Sequence, residues 1–347
     1  MQDAAEAEII EIGDLSPEEW TDYAIAQGWS DGLPLAIPTE AAVERLVALC
    51  RGDNEPFPPI SPRQVVPTLR SLAANAVMAG CRPDYFPVVL AALRGVLRPE
   101  YNLHGTLATT HPCAPMVLVS GPARHALGLN CGTNCFGQGN RANATIGRAL
   151  ELILLNIGGA RPGVMDRATQ GSPAKYSFCF GENQEESPWA PYHVRRGFAP
   201  EDSVVTVMAG EGPHNINDHA STTGEGILTT IAQSIAQPGS NNIYGKGPYV
   251  LVLGPEHAAT LARDGWTIEA LQQALFERAR VHVSRVSPEN VRQYVDSGHP
   301  PVDDHLLLAP TPEDIHILVA GGAGKHSAWI PSFGGTAVCS VKVRAPA

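Results

Sequence analysis

Charge is scarce in this sequence, and positive charge scarcer still. Asp, Glu, Lys and Arg make up 17% of 347 residues, with 24 basic side chains against 35 acidic ones. No run of Lys and Arg occurs, and a net charge of −11 repels phosphate backbones and anionic lipid alike. Neither a nucleic acid nor a membrane is therefore expected as a partner. No apolar run approaches the roughly 20 residues that span a bilayer. The acidic residues 1–8 lack the basic and apolar regions of a secretory signal, so a cytoplasmic location is expected. Cysteine is too sparse and, at seven, odd in number for a disulfide framework. Reduced thiols are expected, serving as small buried hydrophobes, as a nucleophile or as metal ligands.

What the chain has in plenty is apolar surface, 44% of residues, together with 34 glycines and 30 prolines. Low charge combined with that apolar fraction implies surface hidden between subunits, and a homo-oligomer is expected. The length suits one large domain with insertions or two domains.

Glycine and proline punctuate the chain. Ser16-Pro17-Glu18-Glu19 opens a helix, Thr39 caps a second, and Pro56-Phe57-Pro58-Pro59-Ile60-Ser61-Pro62 reads as a linker over the surface. Residues 1–62 are thus an N-terminal helical arm and linker, and 63–347 an α/β catalytic domain. Helices are expected over 68–80 and 83–97, with Cys81 at their junction, and over 141–157, stopped by Gly158-Gly159. Unbroken apolar runs lead into Gly121-Pro122, Gly210, Gly254-Pro255 and Gly321-Gly322, with helix-like stretches expected over 123–129, 256–262 and 323–329. Unbroken runs are what doubly covered strands look like, so the fold expected is α/β with a mostly parallel or mixed sheet flanked by helices. The matched Gly-Pro turns leave open a division into two similar halves, 63–200 and 201–347. Residues 163–191 are irregular and polar, as an active-site loop or lid would be.

Several constellations carry chemistry. Cys81 stands beside Arg82 and before a helix N-terminus, where both favour thiolate and hence a nucleophile. His111, His214 and His257 are candidate bases. In 131–141, Cys131, Cys135 and the glycines precede Arg141 and Asn143, a pattern suited to an anion, a metal or thiol exchange. Gly210 to His219 packs His214, Asp218 and His219 behind a strand, residue types that suit a divalent metal; Glu256-His257 is a further ligand source. Gly321-Gly322-Ala323-Gly324-Lys325-His326-Ser327 is not a phosphate loop of Walker type, yet Lys325 and Ser327 on a glycine nest suit a carboxylate or phosphate. Phe178-Cys179-Phe180-Gly181-Glu182 falls in the irregular stretch.

Four phrases, Asp31-Gly32-Leu33-Pro34, Ala79-Gly80-Cys81-Arg82-Pro83-Asp84-Tyr85-Phe86-Pro87, Arg141-Ala142-Asn143-Ala144-Thr145-Ile146-Gly147-Arg148 and Gly254-Pro255-Glu256-His257, resemble a poorly characterised bacterial family associated with UGSC-type (seleno)protein genes. The resemblance covers most of the chain, brings no established activity, and implies that Cys81 and His257 belong to a shared feature. The chain lacks a Cys-Gly-Ser-Cys run.

The reading expected from these residues is a thiol-dependent hydrolase or lyase that cleaves a carbon–heteroatom bond in a small anionic substrate. Cys81 is its nucleophile, a histidine among His111, His214 and His257 its base, and Arg82, Arg141, Asn143, Lys325 and Ser327 its substrate contacts. A metal-dependent hydrolase or hydro-lyase using His214, Asp218 and His219, and a non-catalytic thiol or metal-binding redox protein, are the alternatives. The cofactor expected is accordingly none or a single divalent ion.

Overall fold

The computed structural model describes residues 4–5, 9–53 and 55–344; the rest of the acidic segment 1–8 lies outside them. Helices begin where short polar side chains cap them. α1 (Pro17–Ala26) starts from Ser16, whose hydroxyl accepts the Glu19 N–H while the Glu19 carboxylate accepts the Ser16 N–H. α2 (Glu40–Leu49), α3 (Leu69–Met78) and α4 (Phe86–Val96) follow, the first two capped by Thr39 and Thr68. Then come the short α5 (Leu103–Ala108) and α6 (Ala123–Ala126), and the longer α7 (Arg141–Ile153), capped by Asn140. α8 (Gly224–Ile235), α9 (Asn241–Gly245), α10 (Pro255–Arg263) and α11 (Ile268–Arg278) belong to the second half of the chain.

Two short two-stranded pairings aside, the strands are β1 (Ala114–Ser120), β2 (Cys179–Gly181), β3 (Val204–Gly210), β4 (His214–Asn217), β5 (Tyr249–Leu253), β6 (Ile315–Val319), β7 (His326–Ile330) and β8 (Cys339–Lys342). They form two mixed four-stranded sheets, ordered β8-β3-β1-β2 and β6-β5-β7-β4. In the first, β1 runs parallel to β2 and antiparallel to β3, which is antiparallel to β8. In the second, β5 runs parallel to β6 and antiparallel to β7, which is antiparallel to β4. Order and direction thus repeat. The path repeats too once the halves are divided after β4 rather than at residue 200: apart from a short helix (Tyr192–Arg195) in the first half and a strand-helix-strand insertion within 280–307 in the second, each runs helix, short helix, strand, two helices and two strands, and then sends its last strand into the other half's sheet.

The two crossings meet. Gly210 pairs with Ser332 in an antiparallel bridge, Glu211 N–H donates to Pro331 O at 2.8 Å and Phe333 N–H donates to Ala209 O at 3.0 Å. A Cβ on Gly210 would lie 2.9 Å from the Ile330 side chain, so the crossing has no room for one.

The sheets stack face to face. Met116, Leu118, Phe180 and Met208 of the first share a core with Val250, Val252, Leu318 and Ile330 of the second. The intervening residues point outward, Val117, Val119, Val205 and Val207 under α3, α4 and α7, and Leu251, Leu253, Ile317 and Trp329 under α8, α10 and α11. Both faces of every long strand are covered, which is why the runs are apolar without alternation. The outcome is a mixed α/β architecture of helices, two stacked sheets and helices.

Two expectations are corrected. The proline-rich 56–62 is not a surface linker, because Phe57, Ile60 and Ser61 are buried, Arg94 lies over the Phe57 ring at 4.0 Å, and Ser61 Oγ bonds His104 Nδ1 at 2.7 Å. Trp20 and Ala24 of α1 and Val43 and Leu46 of α2 join the same core as α3 and α4. The stretch 323–329 is not helical: a glycine turn leads into β7, whose residues alternate between the inter-sheet core and the outer helices.

Phe180 is fully buried between the sheets, edge-on to Phe136 at 4.8 Å. Phe180→Ala is expected to cost about 3–5 kcal/mol, read as a lowered denaturant midpoint with little change in slope.

Candidate functional site

Cys81 stands in the tight corner that follows α3. It is 7% exposed, its Sγ–H donates to Thr145 O at 3.2 Å, and burial pushes its pKa up to about 12 against the smaller opposing pull of that bond and of Arg141 and Arg148. Arg82 turns away to pair with Asp84, and Arg141 donates from Nε and Nη2 to Gly80 O at 3.0 and 2.8 Å. The cations expected to draw out a thiolate therefore hold the backbone corner instead. Asn143 is buried and pins the 130–135 loop, accepting from Asn130 N–H and donating to Asn130 O and Cys135 O. Cys131 and Cys135 are free thiols: Cys135 packs between the sheets and Cys131 sits 3.8 Å from Arg124 Nη1. Cys179 is buried, and its pKa is raised by burial. Glu182, also buried, accepts from Ser120 Oγ, Tyr192 N–H and Gln184 Nε2 and is wholly committed.

At the sheet crossing, Glu211 lies between two of the candidate bases. His111 Nε2 is 2.7 Å from Glu211 Oε1 and His214 Nε2 is 3.5 Å from Oε2. Burial alone would raise the Glu211 carboxyl, but the bonds and charges of the two imidazoles prevail and hold it down to about 2. The other members of that segment diverge. Asp218 accepts from Ser221 N–H and Thr230 Oγ, while the exposed His219 places Nε2 3.1 Å from His326 Nε2. His214, Asp218 and His219 thus do not converge, and among the described residues no three His, Cys, Asp or Glu side chains gather as a metal-binding group.

His257 and Ser327 do come together. His257 is 1% exposed at the start of α10, its Nδ1 lies 2.8 Å from Ser327 Oγ, and its Nε2 lies 3.1 Å from Asp218 O. Burial lowers its pKa against the pull of Asp218, which keeps the imidazole neutral. Lys325, expected as an anion clamp, donates instead to His219 O at 3.1 Å.

A further set of residues went unnoticed in the sequence. A cavity of about 650 Å³ opens between α7, the start of β1 and the irregular loop 160–176. Glu151 of α7 lines it, with Oε1 shut off from water and without a hydrogen-bond partner among the described residues; the Ser172 hydroxyl, also in the wall, likewise has none among them. Burial pushes the Glu151 pKa up to about 8, with Lys175 opposing and Asp166 and Asp31 adding to the rise. Lys175 Nζ and Asp166 Oδ2 pair at 2.8 Å on the loop, and Arg148 clasps Asp31 through Nε and Nη2 at 2.7 and 2.8 Å. A neutral carboxylic acid and an ion-paired carboxylate thus face one cavity. Glu151 follows Leu150 directly and stands one helical turn before Leu154 in an otherwise ordinary amphipathic pattern, so only the loop's length and polarity pointed here.

Compared with known proteins, the sequence matches no family model and no curated protein. Among the described residues no helix is long and apolar enough to cross a membrane.

Two outcomes follow from these environments. In the native protein at about pH 8, iodoacetamide is expected to modify the half-buried Cys131 at least ~10-fold faster than Cys81, as read by peptide mass spectrometry, because the buried thiol is almost wholly protonated. The folded Glu151 carboxyl, near 8, exceeds its unfolded value of about 4.3, so its contribution is fully present below about pH 4 and is lost as pH rises through 8. Glu151→Gln removes that loss; its melting temperature should match the parent at low pH and exceed it by about 2–5 °C above pH 8.

Proposed function

We propose that the protein is an enzyme that cleaves a carbon–heteroatom bond in a small polar molecule bound in the Glu151 cavity. The observation that carries this reading is the Glu151 carboxyl, held protonated at neutral pH with one oxygen unpartnered in the cavity wall. Glu151 is the general acid that protonates the departing oxygen or nitrogen. Asp166, ion-paired with Lys175, is the base. If its proton comes from carbon, the reaction is an elimination; if it comes from water, the reaction is a hydrolysis. Protons balance in either case, one given by Glu151 and one taken by Asp166.

Cavity volume and lining support a small substrate, with Ser30, Gln170 and Ser172 offering polar contacts and Leu107, Leu155 and Ala160 an apolar wall. Lys175 is paired with Asp166 and Arg148 with Asp31, so a net anionic substrate meets no unpaired cation among the described lining residues. A thiol nucleophile at Cys81 is less well supported, because burial keeps its proton on and no hydrogen bond among the described residues joins it to His111, His214 or His257.

The test is a screen of β-hydroxy and β-amino carbonyl compounds and of small N- and O-glycosides, with product formation followed by proton NMR. For any compound turned over, kcat should fall as pH rises through about 8. Glu151→Gln should lower kcat by ~10²–10⁴-fold with KM changed little. Unchanged turnover in Glu151→Gln, or activity that rises through pH 8, overturns the reading.

A further inference from the structure

A second, smaller cavity of about 300 Å³ lies against the second sheet, walled by the glycine turn 321–324, by Phe136 and Asn134 of the cysteine loop, and by Ser327. Ser327 is 5% exposed and its hydroxyl is bound on two sides. Hydrogen-bond bookkeeping fixes each proton. Asp218 O is a carbonyl and can only accept, so His257 Nε2, 3.1 Å away, carries the hydrogen. His257 Nδ1 is then the bare lone pair, and Ser327 Oγ–H, 2.8 Å from it, must donate. The same Oγ accepts the Gly254 N–H at 3.3 Å, which holds the oxygen in place with a lone pair directed away from the imidazole. A serine donating to a neutral histidine whose tautomer is locked by a third group is the arrangement that activates a hydroxyl for attack.

The turn beside it supplies the complement. Gly321 N–H donates to Cys131 O and Gly324 N–H to Glu256 Oε1, but the N–H groups of Gly322 and Ala323 between them have no partner among the described residues. Gly321 and Gly324 hold positive φ of 110° and 131°, and Gly322 has no room for a Cβ, which would fall 2.0 Å from Thr133 Oγ1. Successive amides in such a turn suit a developing oxyanion.

We propose that Ser327 is the nucleophile of an acyl-transfer site, with His257 as its base and the Gly322 and Ala323 amides as oxyanion donors, that hydrolyses esters of short acyl groups. Ser327 Oγ bonds to the acyl carbon as its proton passes to His257 Nδ1. The ester C–O bond then breaks and the leaving alkoxide takes that proton. Water attacks the acyl-serine, giving its proton to Nδ1, and the released Oγ recovers it, leaving a carboxylic acid and the free hydroxyl. No co-reactant other than water is needed. The site is separate from the Glu151 cavity and stands or falls independently of it.

The test uses the full chain, a fluorophosphonate probe and 4-nitrophenyl acetate. One probe adduct per chain, mapped by peptide mass spectrometry to Ser327, is expected. Ser327→Ala should abolish labelling and ester hydrolysis, and His257→Gln should slow both by at least ~10²-fold. The adduct mapped on the unmodified protein decides the matter even where a variant fails to fold. No adduct under conditions that fully label a known serine hydrolase, or an adduct on another residue, overturns the proposal.

Discussion

Two sheets that each complete the other are the constraint on which this structure depends. β4 leaves the first half to close the second sheet, and β8 leaves the second half to close the first, with both crossings joined at Gly210 and Ser332. Each sheet buries its inner face largely on the other, Met116, Leu118, Phe180 and Met208 sharing one core with Val250, Val252, Leu318 and Ile330. The exchange locks the relative position of the sheets and brings His111, Glu211 and His214 to the crossing. It also means that the first sheet draws strands from both sides of residue 200.

Much of this architecture was legible, and what was not has physical reasons. Caps at Ser16 and Thr39 and the stop at Gly158-Gly159 marked helices to within a few residues, because these are local hydrogen-bonding requirements. The unbroken apolar runs correctly signalled strands covered on both sides. They could not tell one sheet with helices on both faces from two sheets that cover each other, since either hides both faces. The helix expected over 323–329 failed because its pattern was read by position after a glycine turn; its alternation, Ser327 and Trp329 against Ala328 and Ile330, is a strand's. Among the site residues, the joining of His257 to Ser327 links positions 70 apart in sequence, and nothing local announces it. Glu151 was invisible because a carboxyl in an amphipathic helix reads as solvated; only the loop folded over it makes it otherwise.

Burial, more than charge, determines the chemistry open to each group here. The same desolvation that holds Cys81 and Cys113 near 12 and so leaves them as neutral thiols holds Glu151 near 8 and keeps His257 neutral. For a thiol nucleophile that shift is adverse, since the thiolate reacts. For a proton donor to a leaving group, or an imidazole that must accept a proton, it is favourable. Cations that might have reversed the effect at Cys81 are spent elsewhere, Arg82 on Asp84 and Arg141 on Gly80 O. The low charge content of the chain thus has a local consequence: few cations remain to stabilise anions inside.

The repeated topology also bears on whether Ser327 is there for packing. The matched Gly-Pro turns are offset by one residue from the structural correspondence, because Val119 and Leu253 both face the outer helices while Gly121 and Gly254 follow them at different distances. With Val119 set against Leu253, the antiparallel partner of the first is Val205 and that of the second is Ser327. The same correspondence places Gly210 on Ser332, the pair that bridges the two crossings, as a two-fold relation requires. In one half this position holds a buried valine packed under helices, so an apolar side chain meets the structural need there. A hydroxyl in its place in the other half costs apolar contact and requires His257 and Gly254 to satisfy it, a burden that packing alone gives no reason to carry.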